Sequence, residues 1–64
     1  MYIRRLKDLR EDNDLKQEYV ARKLNTTIQQ YSRYERGERE LQLHHAITLA
    51  KLYKVSLDYL VGME

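Results

Sequence analysis

Sixty-four residues pass without a proline and with only two glycines, Gly37 and Gly62. Sheets joined by tight turns draw on both residue types, so the chain is poorly equipped to be a β-protein. Its apolar residues instead recur at helical spacing. Tyr2, Ile3, Leu6 and Leu9 predict an amphipathic helix over residues 2–12, broken by Asn13 and Asp14. In the segment QEYVARKL, Val20, Ala21 and Leu24 mark a second helix of about two turns. Asn25 tolerates a left-handed backbone and supplies a turn. Thr27 then reads as an N-cap, and Gln30 three residues on completes a capping-box pattern. That pattern opens a third helix, which runs to Arg36 and is stopped by Gly37. Residues 38–42 form a polar loop. A fourth helix over about residues 43–53 carries Leu43, Ala46, Ile47, Leu49, Ala50, Leu52 and Tyr53. It is apolar around most of its circumference, which predicts packing on more than one side. Val55 and Leu60 flank a Ser56 cap at hydrophobic-staple spacing and open a short fifth helix ending near Gly62.

A chain of this length is one small domain, residues 1–64, and buries only about 60% of its unfolded surface. Cysteine is absent, so no disulfide supports the core. The two histidines, His44 and His45, are adjacent, so a Cys/His zinc site cannot be assembled and no cofactor or metal is expected. Neighbouring helical residues diverge by about 100°, which predicts a solvated histidine pair near the start of the fourth helix, with one of the two in reach of phosphate. No apolar run approaches a membrane span and no signal-peptide core is present. The reading is a soluble, cytoplasmic, all-α domain, a compact bundle of five short helices. No nucleophile–base pair, paired acid site or glycine-rich phosphate loop stands out, so catalysis is not expected.

Net charge is only +2. Locally, Arg22, Lys23, Arg33, Arg36 and Arg39 outnumber Glu35 and Glu38, which is compatible with a phosphate backbone as partner. Residues 17–36 also have the makings of two short helices crossing at a turn. Ala21 is small enough for the crossing, and Asn25 suits the turn. Val20 and Leu24 from one side, with Tyr31 and Tyr34 from the other, plug the angle. On a helical wheel Tyr31, Tyr34 and Glu35 share one face of the third helix, while Ile28, Gln29, Ser32, Arg33 and Arg36 point roughly the other way. Glutamine can bond adenine, arginine can fork onto guanine, and an aliphatic group can touch a thymine methyl.

LKQEYVARKLNTTIQQYSRYERG followed by LAKLYKVSLDYL resembles the phage repressor and Cro type helix-turn-helix family, also called the XRE family. The likeness runs from Ile3 to Leu60 and implies a lambda repressor-like DNA-binding domain. It implies a sequence-specific transcriptional regulator of double-stranded DNA, a repressor that inserts the third helix in the major groove. By the same resemblance Ile28, Gln29 and Arg33 read base edges, and Gln30 either joins them or serves only the cap. Gln17, Thr27, Ser32, Arg36, Arg39 and Gln42 are the expected phosphate contacts. Arg10 and Glu35 match an ion pair that joins the first helix to the third. A homodimer on a palindromic operator is implied, with Tyr59, Val61 and Met63 as candidate dimer contacts, or a monomer that pairs only on DNA. The setting implied is bacterial or phage, at the nucleoid.

The chain departs from that family in places. Lys16 stands where the second helix has a Ser or Thr cap, so Asp14 becomes an alternative cap that would occupy Gln17. Asp14, Asn25 and Lys54 replace turn glycines, and Lys54 must either accept a left-handed backbone or distort its turn. Leu41 replaces a proline. Two rival readings stand beside the regulator: an antitoxin-like or adaptor domain whose partner is a protein, and the N-terminal DNA-binding fragment of a longer repressor.

Overall fold

The computed structural model of the chain describes residues 3–62. Within them five helices follow in order: α1 (Leu6–Asp12), α2 (Gln17–Lys23), α3 (Ile28–Glu35), α4 (Leu43–Tyr53) and α5 (Leu57–Val61). No helix among the described residues is long and apolar enough to cross a membrane. The expected helix over 2–12 is shorter, beginning at Leu6, because Arg4 and Arg5 form a turn and Arg5 provides no side-chain cap. Ile3 still enters the core, from a non-helical backbone. Tyr2 and Met63 lie outside the described residues.

Two helices are capped by a hydroxyl. The Thr27 side chain accepts the Gln30 backbone N–H at 3.1 Å, and Ser56 accepts that of Tyr59 at 3.0 Å. Each such cap contributes about 1 kcal/mol. The capping box at Thr27 is only half formed, since the Gln30 amide turns away to Arg39. Asp14 is no cap for α2. Its φ of 56° places it in the left-handed region, and Lys16 occupies the N-cap position with no side-chain bond.

The helix ends show why Asp14 sits where it does. Asp14 N–H donates to the Glu11 carbonyl and Leu15 N–H to that of Arg10. The same pair of reverse bonds recurs at Asn25 and Thr26, at Gly37 and Glu38, and at Lys54 and Val55. This is the Schellman closure, which needs a left-handed residue just past the helix. Asp14, Asn25 and Lys54 all adopt it, with φ of 56–58°. Asparagine and aspartate do so at little cost, whereas Lys54 carries a penalty of about 1 kcal/mol.

The core draws on every helix: Leu6 and Leu9 from α1, Val20 and Ala21 from α2, Tyr31 and Tyr34 from α3, Leu60 from α5. α4 gives Ala46, Leu49, Ala50 and Tyr53, while Leu41 precedes it. The expectation that α4 packs on more than one side does not hold. Leu43 is 57% and Ile47 41% exposed, because the neighbouring elements cover the flank that runs from His45 and Leu52 through Leu49, Tyr53 and Ala46 to Ala50 and leave the other flank open. Ala21, nearly inaccessible, lets α2 and α3 approach closely at their crossing.

Candidate functional site

α3 divides cleanly by chemistry. Tyr31 and Tyr34 are buried and meet edge to face, ring centroids 6.4 Å apart. Ile28, Gln29, Arg33 and Arg36 are exposed, and Ser32 is half-buried on the same flank. Amides and guanidinium groups therefore stand on a solvent-facing ridge whose back is anchored by aromatic packing.

Glu35 fixes the angle of that ridge. Its carboxylate accepts Arg10 Nε at 2.6 Å, Arg10 Nη2 at 3.2 Å and Gln17 Nε2 at 3.0 Å. Arg10 also donates Nη1 to the Leu15 carbonyl at 2.9 Å. α1, α2 and α3 thus meet at one carboxylate. Burial works against the charged form of Glu35, but Arg10 first, then the neighbouring Tyr31 hydroxyl and Gln17, more than offset this and hold it below the ordinary carboxylate range. Among the described residues the buried hydroxyls of Tyr31 and Tyr53 make no hydrogen bond of ordinary geometry, and burial pushes both phenols up.

The residues expected to meet phosphate occupy different environments. Gln17 spends one amide hydrogen on Glu35. Thr27 spends its hydroxyl oxygen on the cap. Arg36 lies at the surface, donating to Glu38 at 2.8 and 3.2 Å and to Ser32 Oγ at 2.6 Å. Such an exposed pair is weak and easily exchanged for another anion. Gln42 is exposed at the N-cap of α4 and makes no cap bond there. Arg39 is half-buried, 5.6 Å above the Tyr34 ring, and donates to the Gln30 amide oxygen. Among the described residues the side chains of Gln29 and Arg33 make no hydrogen bond at all.

Beyond the Arg39–Gln30 bond, two further contacts were not legible in the sequence. The expected solvated histidine pair is split: His44 is exposed, but His45 is half-buried and its Nδ1 lies 2.9 Å from the Tyr34 hydroxyl. Burial, then His44 and Arg39, hold the His45 imidazole below its ordinary range. The two histidine rings lie only 4.2 Å apart, so adjacent side chains have swung toward each other. At the opposite end, the Arg5 guanidinium stacks 4.5 Å over Tyr59 and donates to its carbonyl, so this candidate dimer residue is partly covered. Val61, the second candidate, is half-buried and packs against the core. No group of three or more His, Cys, Asp or Glu that could hold a metal occurs among the described residues.

The helix-turn-helix family pattern matches residues 6–60. The chain is 36% identical over 63 residues to the uncharacterised HTH-type transcriptional regulator YobD of Bacillus subtilis, covering 98% of this chain and 56% of YobD. It is also 36% identical over 62 residues to the cryptic phage CTXphi transcriptional repressor RstR of Vibrio cholerae, covering 97% of this chain and 56% of RstR. A solved transcriptional regulator from Listeria innocua superposes with a TM-score of 0.84 at 32% identity, over 89% of this chain and 53% of that one. The chain spans about half the length of the relatives it matches.

Proposed function

Since the chain belongs to the helix-turn-helix family, we propose that it is a sequence-specific DNA-binding transcriptional regulator, a repressor that seats α3 in the major groove. The observation that carries this reading is the ridge of α3. Gln29 and Arg33 stand exposed, with no side-chain hydrogen bond among the described residues, on a helix whose opposite face is locked by Tyr31, Tyr34 and Glu35. A reading helix needs that combination, since free donors and acceptors discriminate bases only when the backbone beneath them is fixed. The name of the phage repressor RstR supports repression as the outcome. The chain works by binding, without catalysis, on bacterial or phage DNA at the nucleoid.

Ile28, Gln29 and Arg33 read base edges, with Gln30 beside them. Arg36 exchanges Glu38 for a phosphate, and Ser32, Gln42, Thr27, Gln17 and the spare donors of Arg39 complete the backbone contacts. Two copies bind a palindromic operator, with recognition helices about 34–36 Å apart. The end of α5, at Tyr59 and Val61, faces the partner copy; the third candidate, Met63, lies outside the described residues.

Selection from a randomised duplex library, followed by binding of the enriched site across a salt series, tests this. An enriched palindrome whose affinity falls steeply with salt is expected, because each phosphate contact releases counterions. Binding with no enriched sequence would overturn the reading. It would favour a protein partner, for which the exposed Leu43 and Ile47 offer a surface.

A further inference from the structure

The two adjacent glutamines at the start of α3 differ in what their amides are free to do. Among the described residues Gln29 makes no side-chain hydrogen bond, so both its oxygen and its nitrogen remain available. Gln30 is held by Arg39 from the loop after α3. A guanidinium has only donors, so the end of the Gln30 amide it holds must be the oxygen. The Gln30 backbone N–H is separately satisfied by Thr27, and the amide makes no return bond to the cap.

Arg39 is itself placed rather than free. It is half-buried and lies against the Tyr34 ring. Tyr34 is buried, and its hydroxyl is tied to His45 on α4. The clamp on Gln30 is therefore built into the junction of α3, the following loop and α4.

We propose that Arg39 is a positioning residue for base specificity, fixing Gln30 as a donor-only reader while Gln29 remains a bidentate one. This rests on the reading of α3 as the helix that enters the groove. Bidentate pairing with adenine requires a glutamine to present oxygen and nitrogen together, the oxygen accepting from N6 and the nitrogen donating to N7. The oxygen keeps a second lone pair, but Arg39 fixes its direction, so Gln30 cannot swing oxygen and nitrogen together onto one adenine edge and meets the groove through its N–H groups. Guanine, with N7 and O6, and thymine, with O4, present acceptors to such a group. Adenine N6 and cytosine N4 present donors that would go unanswered. Gln29 therefore selects adenine, and Gln30 selects guanine or thymine at the position it faces.

The test is library selection with the wild type, Arg39→Ala, Arg39→Lys, Gln30→Ala and the double variant Arg39→Ala with Gln30→Ala. Circular dichroism first verifies that each is folded. In the wild type, one position prefers guanine or thymine, and Gln30→Ala flattens that preference. Arg39→Ala shifts the same position toward adenine by about tenfold, on the scale of one base contact. Arg39→Lys, which keeps a donor, retains the guanine or thymine preference. The double variant matches Gln30→Ala at that position, since Arg39 acts there only through Gln30. An unchanged base profile in Arg39→Ala, with affinity lowered for all sequences alike, would overturn the proposal and leave Arg39 a phosphate contact, with DNA reading intact. No enriched sequence for any protein would instead remove the DNA-binding reading beneath it.

Discussion

The Arg10 guanidinium grips the Glu35 carboxylate with two hydrogen bonds, and only 12% of the one side chain and 4% of the other remains exposed. The pair spans α1 and α3, and Gln17 brings α2 to the same carboxylate. Glu35→Gln keeps the shape but leaves Arg10 without its counter-charge in a largely dry site. We expect a loss of about 3 kcal/mol, a large share of a small domain's stability. Urea unfolding followed by circular dichroism measures it, and a loss within 0.5 kcal/mol, about the level of an exposed pair, would contradict it.

The same pair makes stability depend on pH. The carboxyl of Glu35 titrates below its unfolded value of about 4.3. A group with a depressed folded value stabilises the protein above its unfolded value, and that contribution is lost as pH falls through the folded one. Wild type and Glu35→Gln should therefore differ most near neutrality and converge below about pH 4. Midpoints of thermal unfolding across pH for both proteins would show it, and a constant gap would refute it.

Lys54 is the one left-handed residue of the described chain that is neither glycine nor a short polar type. Lys54→Gly removes the crowding of its Cβ, though glycine loses more chain entropy on folding. The net expectation is a gain of about 0.5–1 kcal/mol. Differential scanning calorimetry should register a higher Tm, and a lower one would show that the turn is not strained.

Tyr53 buries a hydroxyl that makes no hydrogen bond of ordinary geometry among the described residues. Tyr53→Phe keeps the ring and discards the unsatisfied group, so stability should hold or rise by up to about 1 kcal/mol. A loss beyond 1 kcal/mol in urea unfolding would mean that the hydroxyl is bonded.

On DNA, Gln29→Ala and Arg33→Ala should each relax the preference at one position by about 1–3 kcal/mol without unfolding the domain, since both side chains project from it. Gel-shift competition with single-base variants of the selected site measures this. Equal weakening on every sequence would reassign them to the phosphate backbone.

Much of the framework could be read from residue order, because it depends on local rules. The inward tyrosines of α3 follow from helical periodicity, and the caps at Thr27 and Ser56 from side chains that match backbone donors a few residues away. The family likeness marks Lys54 as standing in for a turn glycine, and of the two alternatives this leaves the chain takes the left-handed backbone. What escaped depends on neighbours remote in sequence. The exposure of Leu43 and Ile47 is decided by which elements reach α4, and apolar content alone predicts burial on every side. His45 meets Tyr34 across eleven residues, and Gln30 meets Arg39 across nine. Nothing in a polar loop marks one arginine as a clamp. Asp14 reads both as an alternative cap and as a turn residue, because aspartate suits a helix start and a left-handed helix end alike, and the reverse bonds after α1 decide for the turn.

The three-helix junction at Glu35 separates two responses to electrolyte. Mobile ions screen exposed charges within a Debye length of about 8 Å at physiological strength, but reach an enclosed pair far less. Raising the salt should then strip the protein from its operator while the reading helix keeps its tilt. Dissociation in brine would report on the phosphates, and a stoichiometric return on dilution would show a tool that had been set down rather than blunted.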